Sequence, residues 1–230
     1  MFHSLNPTRL CCLAAAAAML MSLPLHANVL VPGATNVAPD VFTLTTSPPL
    51  LGSLSGTFNI GGGTITGSWQ EVVLVDPLGV TCPGCLDFAF AISVDQSSPD
   101  FVFGMNLSRF FGYTTDVGYV VNSGSAGAHD PISVSRGPFG GGVGFAFDTL
   151  ATVLSPGSST DFLVVATNAT TWDAHGFLAI HGGHDADPTH NISGQVNDLF
   201  EPTFVPEPST ALLLCLGLAG IAAGWKKSPR

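Results

Sequence analysis

Between residues 50 and 182 the chain alternates apolar and polar positions in short runs. "LLGSLSGTFNI" (50–60) and "GTITGSWQEVVLVD" (63–76) flank the triplet Gly61-Gly62-Gly63, the pattern of two strands joined by a loop. "LDFAFAISV" (86–94) places Leu86, Phe88, Phe90 and Ile92 on one face. "FVFGMNL", "GYVV", "GVGFAFDTL", "TDFLVVATN" and "GFLAIHG" continue the series. Pro99, Pro131, Pro138 and Pro156 fall between these runs, where a missing N–H interrupts no ladder. No long stretch repeats apolar residues at helical spacing. Short strands divided by turn residues predict an all-β chain: a single antiparallel β-sandwich, jelly-roll-like, over residues 28–205. Asn28–Pro49 reads as an extended lead-in, and Asp185–Val205 as a loop and spacer.

The two ends follow other patterns. Arg9, the apolar run Leu10–Met21, Pro24 and the small Ala27 have the order of a secretory signal peptide over residues 1–27, cleaved between Ala27 and Asn28. Its twelve apolar residues are too few to span a bilayer. Near the other end, Ala211–Trp225 carries no charge, and Lys226, Lys227 and Arg230 follow it. Fifteen helical residues extend roughly 22 Å, short of the ~30 Å hydrocarbon core, and the basic residues would hold their side on the cytoplasmic face.

Charge narrows the function. Of six Lys+Arg, Arg9 lies in the leader and three in the tail, so only Arg109 and Arg136 remain between 28 and 205. Fifteen of the sixteen acids lie there, which makes 2 − 15 = −13. Such a field repels nucleic acid and anionic lipid. Most of these acids are aspartates next to Gly, Pro, Ser or Thr, the setting of turn residues.

Val205-Pro206-Glu207-Pro208-Ser209-Thr210, the apolar run and the basic end together resemble the PEP-CTERM sorting signal of Gram-negative bacteria. The resemblance implies an exosortase partner in the inner membrane, membrane contact through the 211–225 helix before processing near Pro-Glu-Pro, and a final place at the cell surface or in the extracellular matrix. It also implies a link to exopolysaccharide or biofilm. "FFGYTTDVGYVV" and "FLVVATNATTW" are similar to segments of other such proteins, which supports one β domain and names no substrate.

Candidate chemistry is sparse. Cys82 and Cys85 are the only cysteines between 28 and 205, and Pro83-Gly84 between them favours a type II turn narrow enough for a disulfide. A redox Cys-x-x-Cys needs a helix start after it, whereas a strand pattern follows; zinc needs further ligands. "HGGHDADPTH" gathers His181, His184, Asp185, Asp187 and His190, with His175 upstream. Imidazoles and carboxylates at that spacing suit a transition metal, and the two aspartates suit calcium. Its glycine pair and Asp-Pro equally make it a flexible turn that collects polar residues without a ligand, and no cofactor is expected. There is no Gly-x-Ser-x-Gly elbow. Glu71, with Trp69 and Val73 on its face, reads as a solvated strand position. Trp69, Trp172, Tyr113 and Tyr119 offer either a sugar-stacking platform or core packing, which large aromatics usually serve. The expectation is a non-catalytic exported surface or matrix protein. A carbohydrate- or calcium-binding adhesion module is the alternative, and a polysaccharide hydrolase with paired carboxylates a further one.

Overall fold

The computed structural model describes residues 29–43, 48–76, 81–121, 123, 128–147, 153–184 and 191–203. Within them the chain is all β: β1 (Asp40–Phe42), β2 (Leu50–Ile60), β3 (Ile65–Val75), β4 (Leu86–Val94), β5 (Phe101–Leu107), β6 (Thr115–Val120), β7 (Ser133–Arg136), β8 (Val143–Ala146), β9 (Phe162–Thr167), β10 (Trp172–Gly183) and β11 (Ile192–Pro202). The signal segment, residues 77–80, the Asp185–His190 stretch and the whole sorting tail lie outside the described residues.

Six strands form one sheet in the order β1-β6-β9-β4-β3-β2, and five form a second in the order β11-β10-β5-β8-β7. Every pairing is antiparallel except β1 with β6, which is parallel. Sheets of six and five, with a parallel edge, depart from the eight-stranded jelly roll that the sequence suggests. The β2–β3 hairpin turns at Gly61, Gly62 and Gly63, all with positive φ, a conformation that side chains with a Cβ rarely adopt.

One apolar cluster joins the sheets. Phe90 of β4 meets Phe145 of β8 edge to face, with ring centroids 5.4 Å apart. Phe88 meets Phe110 in the same way at 5.8 Å. Full burial of each such side chain contributes about 2–3 kcal/mol. Leu86, Phe88, Phe90 and Ile92 all point into this cluster, as the alternation of "LDFAFAISV" requires. The opposite face of β4 is covered too: Ala89 joins Phe42, Val120 and Val164 in a second, smaller cluster.

Two sequence expectations need correcting. Residues 192–202 are not a spacer but the strand β11, paired with β10 along almost its whole length. Gly, Asn and Asp dilute its pattern, and its packing comes late, at Leu199 and Phe200. In the same way His181, Gly182 and Gly183 belong to β10 rather than to a turn. A Cβ at Gly182 would collide with the Phe101 carbonyl oxygen, so glycine lets β10 lie close to β5.

The lead-in bridges both sheets, through Val29 to Asp116 and Val37 to Val134. Arg136 fixes it. Its buried guanidinium donates to the carbonyl oxygens of Leu30 (2.8 Å), Phe110 (3.2 Å), Tyr113 (2.6 Å) and Gly140 (3.2 Å).

Candidate functional site

The predicted groups fall in separate places. Cys82 and Cys85 pair, with Cα atoms 5.4 Å apart and sulfurs at bonding distance. Cys85 N–H donates to the Cys82 carbonyl at 3.1 Å and Gly84 has φ +80°, as a type II turn demands. Strand β4 begins at once after the turn, so no helix start activates either sulfur.

His181 and His184 take different partners. His181 Nε2 lies 2.9 Å from Asn106 Nδ2, and His184 Nδ1 lies 3.2 Å from Asp100 Oδ1. Their proposed companions Asp185, Asp187 and His190 lie outside the described residues. Trp172 packs edge to face on Phe200 at 4.6 Å, Trp69 and Tyr119 pack against the main core, and Tyr113 is buried. These four aromatics therefore serve packing, not an open platform.

Glu71 is not solvated. It is 1% exposed and its Oε2 accepts the Phe200 N–H of β11 at 2.8 Å, a link between the two sheets. Burial pushes its carboxyl up to about 8, partly offset by that backbone donor. Asp87 is pushed up to about 8 by burial, with the nearby acids Asp76 and Asp116 adding to the effect. Burial and then Asp40 push Asp116 up to about 7.

Among the described residues the densest polar site is one of which the sequence reading named only His175. β10 and β11 pair Asp173 with Glu201, then Gly176 with Leu199, then Phe177 with Asn197. The first step carries one extra residue on β10, and the second carries one on β11, at Asp198, whose φ is +63°. Bulges re-aim side chains, and this opposed pair turns His175 toward Asp173 and Glu201. His175 Nδ1 lies 3.2 Å from Asp173 Oδ1. Arg109, itself at φ +70°, sets Nε 3.3 Å from Glu201 Oε2 and donates from its terminal nitrogen to Oε1 at 3.3 Å. Burial raises the Glu201 carboxyl; Arg109 lowers it and Asp173 raises it again. The signal was out of reach because Asp173 and Glu201 are 28 residues apart and meet only by strand register.

Arg109 also borders a groove of about 610 Å³, whose lining includes Asn106, Ser108, Phe111, Ser135 and Phe177. Glycine forms part of its floor. A Cβ at Gly141 would strike the Phe111 ring, so the ring lies directly over bare backbone. Phe111 is half exposed, and Phe139 beside the groove residue Pro138 is 83% exposed.

Comparison with known proteins bears on the tail alone. Residues 204–227 match the family model described as the PEP-CTERM protein-sorting motif. The chain carries a PEP-CTERM sorting motif. The match holds Val205, Pro206, Glu207, Pro208, Ser209, Thr210, Lys226 and Lys227, and stops before Arg230. A PEP-CTERM motif implies an exported protein of Gram-negative bacteria that an exosortase processes. The motif and the signal cleavage pair Ala27–Asn28 lie outside the described residues. No curated protein matches the chain.

Proposed function

We propose that this is a non-catalytic protein of the cell surface or extracellular matrix, delivered through the exosortase route and working with exopolysaccharide. The match over residues 204–227 carries the reading. Two features of the domain support it. Its acidic balance suits a soluble, extended matrix setting: the formal charge over residues 28–205 is −13, and it stays negative when the buried, protonated Glu71 and Asp87 are discounted, which keeps copies apart. Two carboxyls are placed for structure: Glu71 is sealed between the sheets and Glu201 is paired with Arg109. A retaining or inverting glycosidase instead needs two carboxyls facing one open cleft.

A second reading, a carbohydrate-binding module, is favoured by the groove at Phe111. An aromatic face beside Asn106, Ser108, Arg109 and Ser135 offers a sugar both an apolar surface and hydrogen-bond partners. The two readings are compatible, since a matrix protein that holds polysaccharide needs such a contact.

The route is tested by deleting Pro206–Arg230 and following the protein in a host that has the exosortase. Retention of the truncated protein away from the surface is expected. Arrival of the truncated protein at the same surface location would overturn the sorting claim.

A further inference from the structure

The opposed bulges of β10 and β11 leave a charge imbalance. Asp173 and Glu201 sit directly opposite each other in register, and like charges so placed are destabilising. Arg109 supplies one positive charge to that pair, which leaves negative charge over. Glu201 Oε2 and Asp173 Oδ1 are buried oxygens with no well-formed hydrogen bond; Arg109 Nε lies 3.3 Å from the first and His175 Nδ1 3.2 Å from the second. The Glu201 side chain is 6% exposed, so water does little to compensate.

We propose that Asp173, His175 and Glu201 bind one divalent transition-metal cation of the zinc type. One donor atom from each residue lies within 4.8 Å of the others. Bonds of about 2.1 Å in a tetrahedral site set donors about 3.4 Å apart, so closure needs side-chain shifts of about an ångström. His175 is 71% and Asp173 40% exposed at the side chain, and both are free to make them. Glu201 supplies the fixed point. An imidazole nitrogen with two carboxylate oxygens suits zinc, whereas calcium takes oxygen donors alone. Three protein ligands leave a fourth position for water or for an oxygen of a bound ligand.

Arg109 acts as the resident rival. A carboxylate has about four lone-pair sites, and the guanidinium takes one on Glu201 Oε1 while its Nε lies 3.3 Å from Oε2. The cation fits in the remaining sites but meets the repulsion of Arg109 there. Removing Arg109 should therefore tighten metal binding, an effect that a merely structural ion pair would not produce.

The test uses the protein purified without an affinity tag, stripped with a chelator and titrated with zinc chloride by calorimetry. One equivalent of Zn²⁺ is expected to bind the parent protein. His175→Ala, at an exposed position that leaves the fold intact, should weaken binding at least tenfold, and Glu201→Gln likewise. Arg109→Gln should strengthen it severalfold, and an excess of Ca²⁺ should not displace the zinc. Binding unchanged in His175→Ala, binding abolished by His184→Ala alone, or no binding to the parent protein would each overturn the assignment.

Discussion

Glu71→Gln tests the account of the core most directly, because the neutral amide keeps the shape of the carboxyl and cannot ionise. In the native protein Glu71 loses its proton near pH 8, while in the unfolded chain it does so near 4.5. Between those values the unfolded state binds fewer protons than the folded one, so stability falls as pH rises. The contribution is fully present below 4.5 and gone above about 8. The interval is 8 − 4.5 = 3.5, and each pH unit corresponds to 1.36 kcal/mol, so the full effect is roughly 5 kcal/mol. From pH 5 to 8 the parent protein should lose about 4 kcal/mol that the variant keeps. Asp87 and Asp116 shift in the same direction in both proteins and cancel in the difference. The amide carbonyl of the variant still accepts the Phe200 N–H, and its NH₂ fills the place of Oε1, which has no partner. That second change costs a constant amount at every pH. The measurement is urea unfolding of both proteins at pH 5, 6, 7 and 8, followed by tryptophan fluorescence. Parallel pH profiles, separated by a fixed offset, would show that Glu71 is ionised in the native state and would refute the reasoning.

Two further outcomes follow from the geometry. Replacing Cys82 and Cys85 together by serine should lower stability by about 2 kcal/mol, the entropy of closing so small a loop; alkylation of both thiols in the untreated exported protein would show that no staple forms. Phe111→Ala should weaken retention of the host exopolysaccharide about tenfold in co-sedimentation, a loss of roughly 1.4 kcal/mol. Equal retention by parent and variant would remove the groove from the carbohydrate reading.

The strands legible in the sequence were those with a clean period or an unbroken apolar face. "LLGSLSGTFNI" and "LDFAFAISV" coincide with β2 and β4 residue for residue. β7, "SVSR", is short and polar, and β11 breaks its alternation at Asp198. Such elements are specified by their neighbours rather than by their own composition. The turn at Cys82–Cys85 was legible because proline and glycine each impose a dihedral locally. Glu71 was misread for the reverse reason. Its neighbours Trp69 and Val73 marked the buried face correctly, but the donor that makes a carboxyl tolerable there is Phe200, 129 residues away. The Asp173–His175–Glu201 group likewise depends on a register that no local pattern encodes.

Arg136 has a consequence for the resistance of an exported chain to proteolysis. Enzymes of the trypsin type cut after lysine or arginine, and between residues 28 and 205 only Arg109 and Arg136 offer such bonds. Cleavage requires the guanidinium to swing out into the protease, together with several residues of extended backbone. Arg136 is wrapped by four carbonyl oxygens inside the fold, whereas Arg109, though paired with Glu201, keeps a side chain that is 55% exposed. Release of Arg136 would first require opening of the seam between the lead-in at Leu30 and the loop at Gly140. Between residues 28 and 205 an exported chain of this kind thus presents such enzymes with one exposed arginine, Arg109.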